Sequence, residues 1–167
     1  MDREVRQVEC MGCQALVPDL PASYGPPHTY LGTSPGCWQI YTELTARIVP
    51  DMTVRGLLAD TYMVQHPGVS SRQAIQSVVR HLMGLCCVLE MNLSFERAVV
   101  VMKKAPVAEF TWLEPPTFLG PLTVVDLARA FEETIQPDLV REWALTTWQA
   151  WGIYHGVVRS WVEKALV

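Results

Sequence analysis

The sequence predicts a mainly α protein: a compact multi-helix bundle that carries an irregular, proline-rich flap at its N-terminus. Two observations indicate the bundle. Apolar residues repeat every three or four positions over residues 70–92, and a wide apolar surface runs along residues 137–166. The flap is indicated by four prolines and two glycines within residues 14–34, a density that disfavours regular structure. We therefore predict one domain over residues 1–167, with the flap at 1–34 and the bundle at 35–167.

The first predicted helix follows directly after the flap. Ser34 is a suitable N-cap and Pro35 suits the first helical position, so the helix starts there, includes Ile48 and ends before Pro50. Cys37 then lies in the first turn. Because free N–H groups and the positive end of the helix dipole favour a thiolate at that position, Cys37 is well placed to bind a metal.

Two further helices are predicted in the middle of the chain. Thr53 starts the first of them, and His66 ends it because proline and glycine follow. Ser70 and Gln73 form a capping-box signal for the next, which runs to about residue 92. Its apolar stripe consists of Ile75, Val78, Leu82, Leu85 and Leu89.

The remaining elements are a short helix, a connection and two more helices. Residues 94–102 form the short helix, although the valines at 99–101 would also suit a strand. Residues 106–121 contain four prolines and form the connection. Thr123 and Asp126 start a helix that ends near Ile135, and the last and longest helix covers residues 137–166.

Three of the five cysteines form the most informative motif. Cys10 and Cys13 are separated by two residues, a spacing that lets both thiolates face one ion, and Cys37 supplies a third. We predict one zinc ion at this site. The alternatives are thiols that pack as small apolar side chains, or a redox Cys-x-x-Cys, which usually follows a strand in a βαβ unit that is not evident here. Cys86 and Cys87 point about 100° apart on one helix and are assigned to the core.

The fourth metal ligand must be a histidine or a carboxylate, and four histidines are present. We select His66. His28 is expected to be solvated, whereas His155 lies within an apolar stripe and needs a hydrogen-bonding partner or a metal. A second arrangement stays open, in which histidines from three helices converge on a catalytic ion that keeps an open position. Its candidates are His66, His81, His155, Asp60, Tyr62 and Gln65.

Charge and composition exclude other classes. The net charge is -4 and the basic residues are scattered, so no nucleic-acid partner is expected. No stretch of about 20 apolar residues occurs and the N-terminus is polar, so we expect no membrane partner. The absence of an export signal and the odd number of cysteines are typical of a reducing compartment, which predicts a cytoplasmic location.

Several motifs together resemble an uncharacterised bacterial family known only as a domain of unknown function. They are Cys10-x-x-Cys13, Ser34-Pro35-Gly36-Cys37-Trp38, Gln65-His66-Pro67-Gly68, Gln76-Ser77-x-x-x-His81 and Trp148-x-Ala150-Trp151-x-x-x-His155. The resemblance implies no reaction, but it directs attention to the cysteines, His66, His81 and His155. One departure is Gln14, since members of the family commonly carry glycine after the second cysteine.

Two functions follow from these expectations. In the first, Cys10, Cys13, Cys37 and His66 bind a structural zinc ion, which tethers the flap over a pocket for a small molecule or a protein partner. In the second, the protein is a metal-dependent enzyme, of hydrolase or transferase type, whose ion keeps an open position. The sequence identifies no catalytic residue, substrate or oligomeric state.

Overall fold

The computed structural model describes residues 5–47 and 50–167, and within them seven α-helices form the body of the protein. The mainly α prediction is confirmed. Ile48, predicted to lie within the first helix, is outside the described residues. In chain order the helices are α1 Pro35–Thr45, α2 Met52–Gln65, α3 Arg72–Leu85, α4 Phe95–Lys103, α5 Val124–Ala130, α6 Pro137–Ala150 and α7 His155–Leu166.

Side-chain caps set most helix starts close to the predicted positions. The start of α2 lies earlier than predicted because Asp51, rather than Thr53, is the cap, and its carboxylate accepts bonds from the backbone N–H groups of Thr53 and Val54. At α3 the cap is Ser71 rather than Ser70. The capping box at Thr123 and Asp126 is present as predicted.

The helix α2 lies at the centre of the body, between α3 on one side and α6 on the other. Its side chains meet a core that contains the fully buried indoles of Trp143 and Trp151. The predicted stripe of α3 also faces this core, with Val78, Leu82 and Leu85 buried. A π-helical turn, Cys86–Glu90, extends α3 and buries both of its cysteines, in agreement with their assignment to the core.

The prediction of one continuous last helix is wrong. The chain leaves the α conformation at Trp151, passes through the 3-10 turn Gly152–Tyr154 and starts α7 at His155. Glycine costs about 1 kcal/mol in a helix interior, and Gly152 lies at this point. The break also brings the His155 ring back onto Trp148, where the two rings stack with centroids 3.8 Å apart. The preceding helix is shorter than predicted as well, since α5 ends at Ala130 and Phe131 is extended.

The flap contains more regular structure than predicted. Strands β1 Gln7–Glu9 and β2 Leu16–Pro18 form an antiparallel hairpin in which Val8 lies opposite Val17. The flap was expected to lack such structure because of its prolines, but Pro18 occupies the last pair of the ladder and Val17 is completely buried. The turn of this hairpin holds Cys10 and Cys13.

None of the helices in the described part of the chain is both long enough and apolar enough to cross a bilayer.

A polar cluster around Glu90 joins the end of the π-helical turn to α6 and α7. The Glu90 carboxylate accepts bonds from the Trp148 indole at 3.0 Å and from Nε and Nη2 of Arg159 at 2.7 and 2.8 Å. The Arg159 guanidinium, followed by the Trp148 bond, holds the pKa of Glu90 below its ordinary value.

We expect Glu90→Gln to lower the free energy of unfolding by about 1 kcal/mol at neutral pH, because this ion pair is partly exposed. A lowered pKa in the folded state stabilises the protein above the unfolded pKa, and the effect is lost as the pH falls through the folded value. The difference between wild type and variant should therefore be constant above pH 4.5 and shrink below it. Urea unfolding at a series of pH values measures this, and a difference that grows in acid would contradict it.

Candidate metal centre

Four side chains from the flap and the helical body converge on one point. The ligand atoms of Cys10, Cys13, Cys37 and His66 all lie within 4.8 Å of one another. The Sγ atoms of Cys13 and Cys37 are 3.9 Å apart, and Nε2 of His66 is 3.3 Å from Sγ of Cys37. A tetrahedral zinc ion with ordinary bond lengths separates two sulfurs by about 3.8 Å and a sulfur from a nitrogen by about 3.5 Å. The cluster therefore has the size of a tetrahedral metal site.

Three separate elements supply these donors. Cys10 and Cys13 lie on the turn of the hairpin, which is closed by a bond from the Gln14 N–H to the Cys10 carbonyl at 3.0 Å. Cys37 lies in the first turn of α1, and His66 caps the end of α2. The site exists only where hairpin, α1 and α2 pack together.

The backbone conformation of the turn explains why glycine is expected directly after the second cysteine. Gln14 has a φ of 63°, the left-handed region in which glycine is most easily accommodated. This accounts for the glycine expected there from the resemblance. The Gln14 side chain gains a bond from its Nε2 to the Thr117 carbonyl at 3.2 Å, which offsets part of the strain.

Gly12 is required by the close approach of other groups to the turn. A Cβ at this position would lie 2.4 Å from the Gly32 carbonyl oxygen and 2.6 Å from Cδ2 of the His66 ring. The ring therefore packs against the bare backbone of the turn. This contact places the imidazole beside the two sulfurs of the hairpin.

The orientation of His66 is fixed by its other ring nitrogen. Nδ1 lies 2.7 Å from the Tyr62 carbonyl oxygen, and because a carbonyl only accepts, Nδ1 must donate. In the neutral ring, Nε2 then carries the lone pair and faces the sulfurs. Metal-binding histidines usually have this arrangement, with the second nitrogen bonded to a carbonyl or a carboxylate.

Two hydroxyl groups surround the sulfurs. The Tyr62 hydroxyl donates to Sγ of Cys37 at 3.5 Å and lies 2.7 Å from Oγ1 of Thr33. Thr33 also lies 3.9 Å from Sγ of Cys10. Burial raises the pKa of Tyr62, so this residue remains a phenol that donates to sulfur. Tyr62 was a candidate ligand in the sequence, and the structure places it beside the cluster instead.

The charges of the donors suit a divalent cation. Hydrogen bonds from Cys13 and Cys37 lower the pKa of Cys10, whereas the bonds with Cys10 and Cys37 raise the pKa of Cys13. Burial opposes the charged form of His66, but its bonds to Cys10 and Cys37 outweigh this and raise its pKa to about 9. One thiolate balanced by an imidazolium is thus favoured, and a second thiolate is opposed by repulsion. A divalent cation removes that repulsion, so the donor set fits a metal.

The other histidine and carboxylate candidates lie outside this cluster. Nδ1 of His81 bonds to the Asp60 carboxylate at 2.7 Å, and Nε2 of His155 donates to the Trp148 carbonyl at 2.8 Å. His28 stacks on a neighbouring tyrosine. Within residues 5–47 and 50–167 these side chains do not join the four clustered donors.

Gln65, another candidate ligand, instead links α2 to α6 and to the segment before α5 through hydrogen bonds of its side chain. Its buried amide Nε2 donates to the carbonyls of Leu119 and Leu122 at 3.1 and 2.7 Å, and its Oε1 accepts from the Trp143 indole at 3.2 Å.

Sequence reasoning missed two residues of the site, Thr33 and Gly12. Gly12 carried a usable signal, because a glycine between two closely spaced cysteines indicates a close backbone approach. Thr33 carried none, since nothing in its local sequence distinguishes it from an ordinary loop threonine. Its role depends on the path of residues 31–34 over the end of α2, where the Gly32 N–H donates to the His66 carbonyl at 3.0 Å.

Comparison with known proteins gives a family but no activity. No curated protein and no solved structure is significantly similar to this chain. One family model matches residues 8–152, a span that includes all four clustered residues, and it is described as a family of unknown function, DUF5946. Because the match covers most of the sequence, the chain belongs to the DUF5946 family of unknown function.

Proposed function

We propose that Cys10, Cys13, Cys37 and His66 bind one zinc ion as a structural centre, which fastens the N-terminal hairpin to the helical body. The observation that carries this proposal is the convergence of four donors from three elements within 4.8 Å. Three thiolates and one imidazole form a common donor set of structural zinc sites. Zinc is preferred over magnesium or calcium because those ions bind oxygen.

The donor count favours a structural ion over a catalytic one. A catalytic zinc keeps one coordination position for water or substrate, whereas four protein donors fill the tetrahedron. Cys10, Cys37 and His66 are 1%, 0% and 0% exposed, so little solvent reaches them. The metal-dependent enzyme remains the second candidate only if one donor is displaced, and Cys13, the only one of the four donors that is not fully buried, is the donor at which that would occur.

The flap needs such a fastening. Two strands of three residues each are at best marginally stable by themselves. The Met11 N–H donates to Oγ of Ser34 at 3.0 Å, which joins the hairpin to the residue directly before α1. Metal binding adds the affinity of the ion to the stability of the folded state, because the unfolded chain has no preformed site. A cytoplasmic location would suit this function, since the thiols must stay reduced.

The test is a measurement of metal content on protein purified under reducing conditions. Elemental analysis by mass spectrometry should find about one zinc ion per chain. Cobalt substitution should give the intense visible bands of a tetrahedral ion with thiolate ligands. Protein that contains no metal and takes up none on reconstitution would overturn the proposal.

A further inference from the structure

A second polar constellation lies away from the candidate metal centre, between α2 and α3. Asp60 on α2 is buried, and its Oδ1 accepts a bond from Nδ1 of His81 on α3 at 2.7 Å. Space for the carboxylate depends on Gly84, because a Cβ there would lie 2.3 Å from Oδ2 of Asp60. Replacing such a buried polar pair by apolar residues often leaves a protein equally stable or more stable, so stability alone does not explain it.

The pair leaves the second nitrogen of His81 available. Because the Asp60 carboxylate accepts, Nδ1 of the ring is protonated and points inward. Nε2 has no hydrogen-bond partner among the described residues, and the His81 side chain is 29% exposed. The ring lines a cleft of about 360 Å³. An imidazole fixed at one nitrogen and free at the other, at the wall of a cleft, is arranged to contact a ligand.

Arg80 lines the same cleft and is also without a partner. Its Nε is buried and makes no hydrogen bond within the described part of the chain, where the side chain has no ion pair either. A guanidinium has donors in a planar fork that matches a carboxylate or a phosphate group. The buried Nε costs free energy because it has no partner, and the terminal nitrogens of the fork, which make no hydrogen bond with the described residues either, are the atoms that a ligand in the cleft would contact.

The surroundings of the cleft favour an anion. Gln73, Gln76 and Ser77 add neutral polar groups to its lining. Two neighbouring clefts continue along α3: one of about 570 Å³ shares Gln73 with it, and one of about 510 Å³ shares Gln76. No acidic residue lines any of the three clefts in the described structure, although the net charge of the chain is -4. We call these three clefts together the groove, and their volumes suit an organic molecule rather than a simple ion.

We propose that this groove is a binding site for a small organic molecule with an oxyanion group, carboxylate or phosphate, which Arg80 binds through its guanidinium while His81, held by Asp60, contacts it through Nε2. The site is separate from the proposed zinc centre, and its residues supply no donor to that centre. It gives the protein a ligand-binding activity, with an anion as the recognised chemistry.

The test uses nuclear magnetic resonance on the metal-loaded protein. Acetate and inorganic phosphate are titrated separately at constant ionic strength, with sodium chloride as the reference, and the His81 ring and Ser77 amide resonances are followed. We expect saturable shifts with at least one anion, and the anion that saturates identifies carboxylate or phosphate as the recognised group. Equal responses to chloride, or no saturation with either anion, would overturn the proposal.

Variants assign the site to its residues. In Arg80→Gln the dissociation constant of the anion that saturates should rise at least about tenfold, since a charge-assisted bond is lost. In His81→Asn the same dissociation constant should rise several-fold, as measured from the shift of the Ser77 amide resonance. Arg97→Gln, which removes an exposed arginine on α4, is the charge-matched control and should bind as wild type does. Wild-type binding by Arg80→Gln would contradict the assignment. Unchanged metal content in every variant separates a failure here from a failure of the zinc proposal.

Discussion

Replacing Cys37 by serine is expected to abolish stoichiometric metal binding and to cause the largest loss of stability of any single change at the centre. Cys37 is completely buried and lies within 3.9 Å of both Cys13 Sγ and His66 Nε2. A ligand that binds only the folded state contributes about 4 kcal/mol when its free concentration is a thousand times its dissociation constant. We therefore expect a loss of about 4 kcal/mol in the presence of free zinc, measured by urea unfolding with and without added metal.

Cys87→Ala is the matched control, because Cys87 is equally buried but lies in the core rather than in the cluster. This variant should keep about one metal ion per chain. Its free energy of unfolding should fall only by the small amount typical of removing one atom from a core side chain. If Cys37→Ser retained the ion, or if Cys87→Ala lost it, the assignment of ligands would be wrong.

Removing the metal from the wild-type protein with a chelator should destabilise one region of the chain, the flap and the first turn of α1. Amide hydrogen exchange is expected to accelerate over residues 5–37, while the α2, α3 and α6 amides stay protected, because α2 packs directly against α3 and α6 and their shared core contains many side chains besides the two buried cysteines of the centre. Far-ultraviolet circular dichroism should change little. A global loss of helix on chelation would show that the ion supports the body and not only the flap.

The second large effect is expected at Gln65. Gln65→Leu removes the acceptor of the Trp143 indole N–H and the donor to the Leu119 and Leu122 carbonyls. The buried Trp143 N–H costs about 1–3 kcal/mol when it loses its partner, and each of the two part-buried carbonyls costs about 1 kcal/mol, so we expect a total loss of about 3–5 kcal/mol in the free energy of unfolding. Metal content should stay the same, since Gln65 is not one of the clustered donors.

Two controls make this result specific. Gln149→Leu introduces the same side chain at an exposed position of α6 and should change stability by no more than about 0.5 kcal/mol. Trp143→Phe removes the indole donor together with part of the buried ring system. In combination with Gln65→Leu it should cost less than the sum of the single changes, because the two side chains share one bond. Strict additivity would show that the bond contributes nothing.

The helices could be predicted from the sequence because their signals are local. The periodicity of α3, the proline at the start of α1 and the capping box of α5 each reside within a few consecutive residues. The two clear errors have causes that the apolar pattern of a single helix does not show. The break between α6 and α7 accompanies the stacking of His155 on Trp148, and the hairpin in the flap needs two segments to pair.

The residues of the candidate metal centre also fall into those that the local sequence identifies and those that it does not. The three cysteines could be selected from their spacing and from the helix start at Cys37. No comparable spacing signal supported the choice of His66 among four histidines, and the sequence left open a convergence of His66, His81 and His155 on one ion. The structure separates these three side chains into a donor cluster, a pair with Asp60 and a stack on Trp148. Their sequence neighbourhoods do not contain that distinction.

By itself, the sequence determined the helical class of the protein and most helix starts, because these depend on residues a few positions apart, and it singled out three cysteines through the spacing of Cys10 and Cys13 and the helix start at Cys37. Only the tertiary structure decided which histidine meets the sulfurs, which groups Gln65 bonds to, and that His81 and Arg80 share a cleft that no acidic side chain lines among residues 5–47 and 50–167. The physical reason is that each of these depends on the packing of α2 against its neighbours. Packing brings together side chains from distant parts of the chain, and the sequence pattern of one helix does not specify which residues of another helix it will meet.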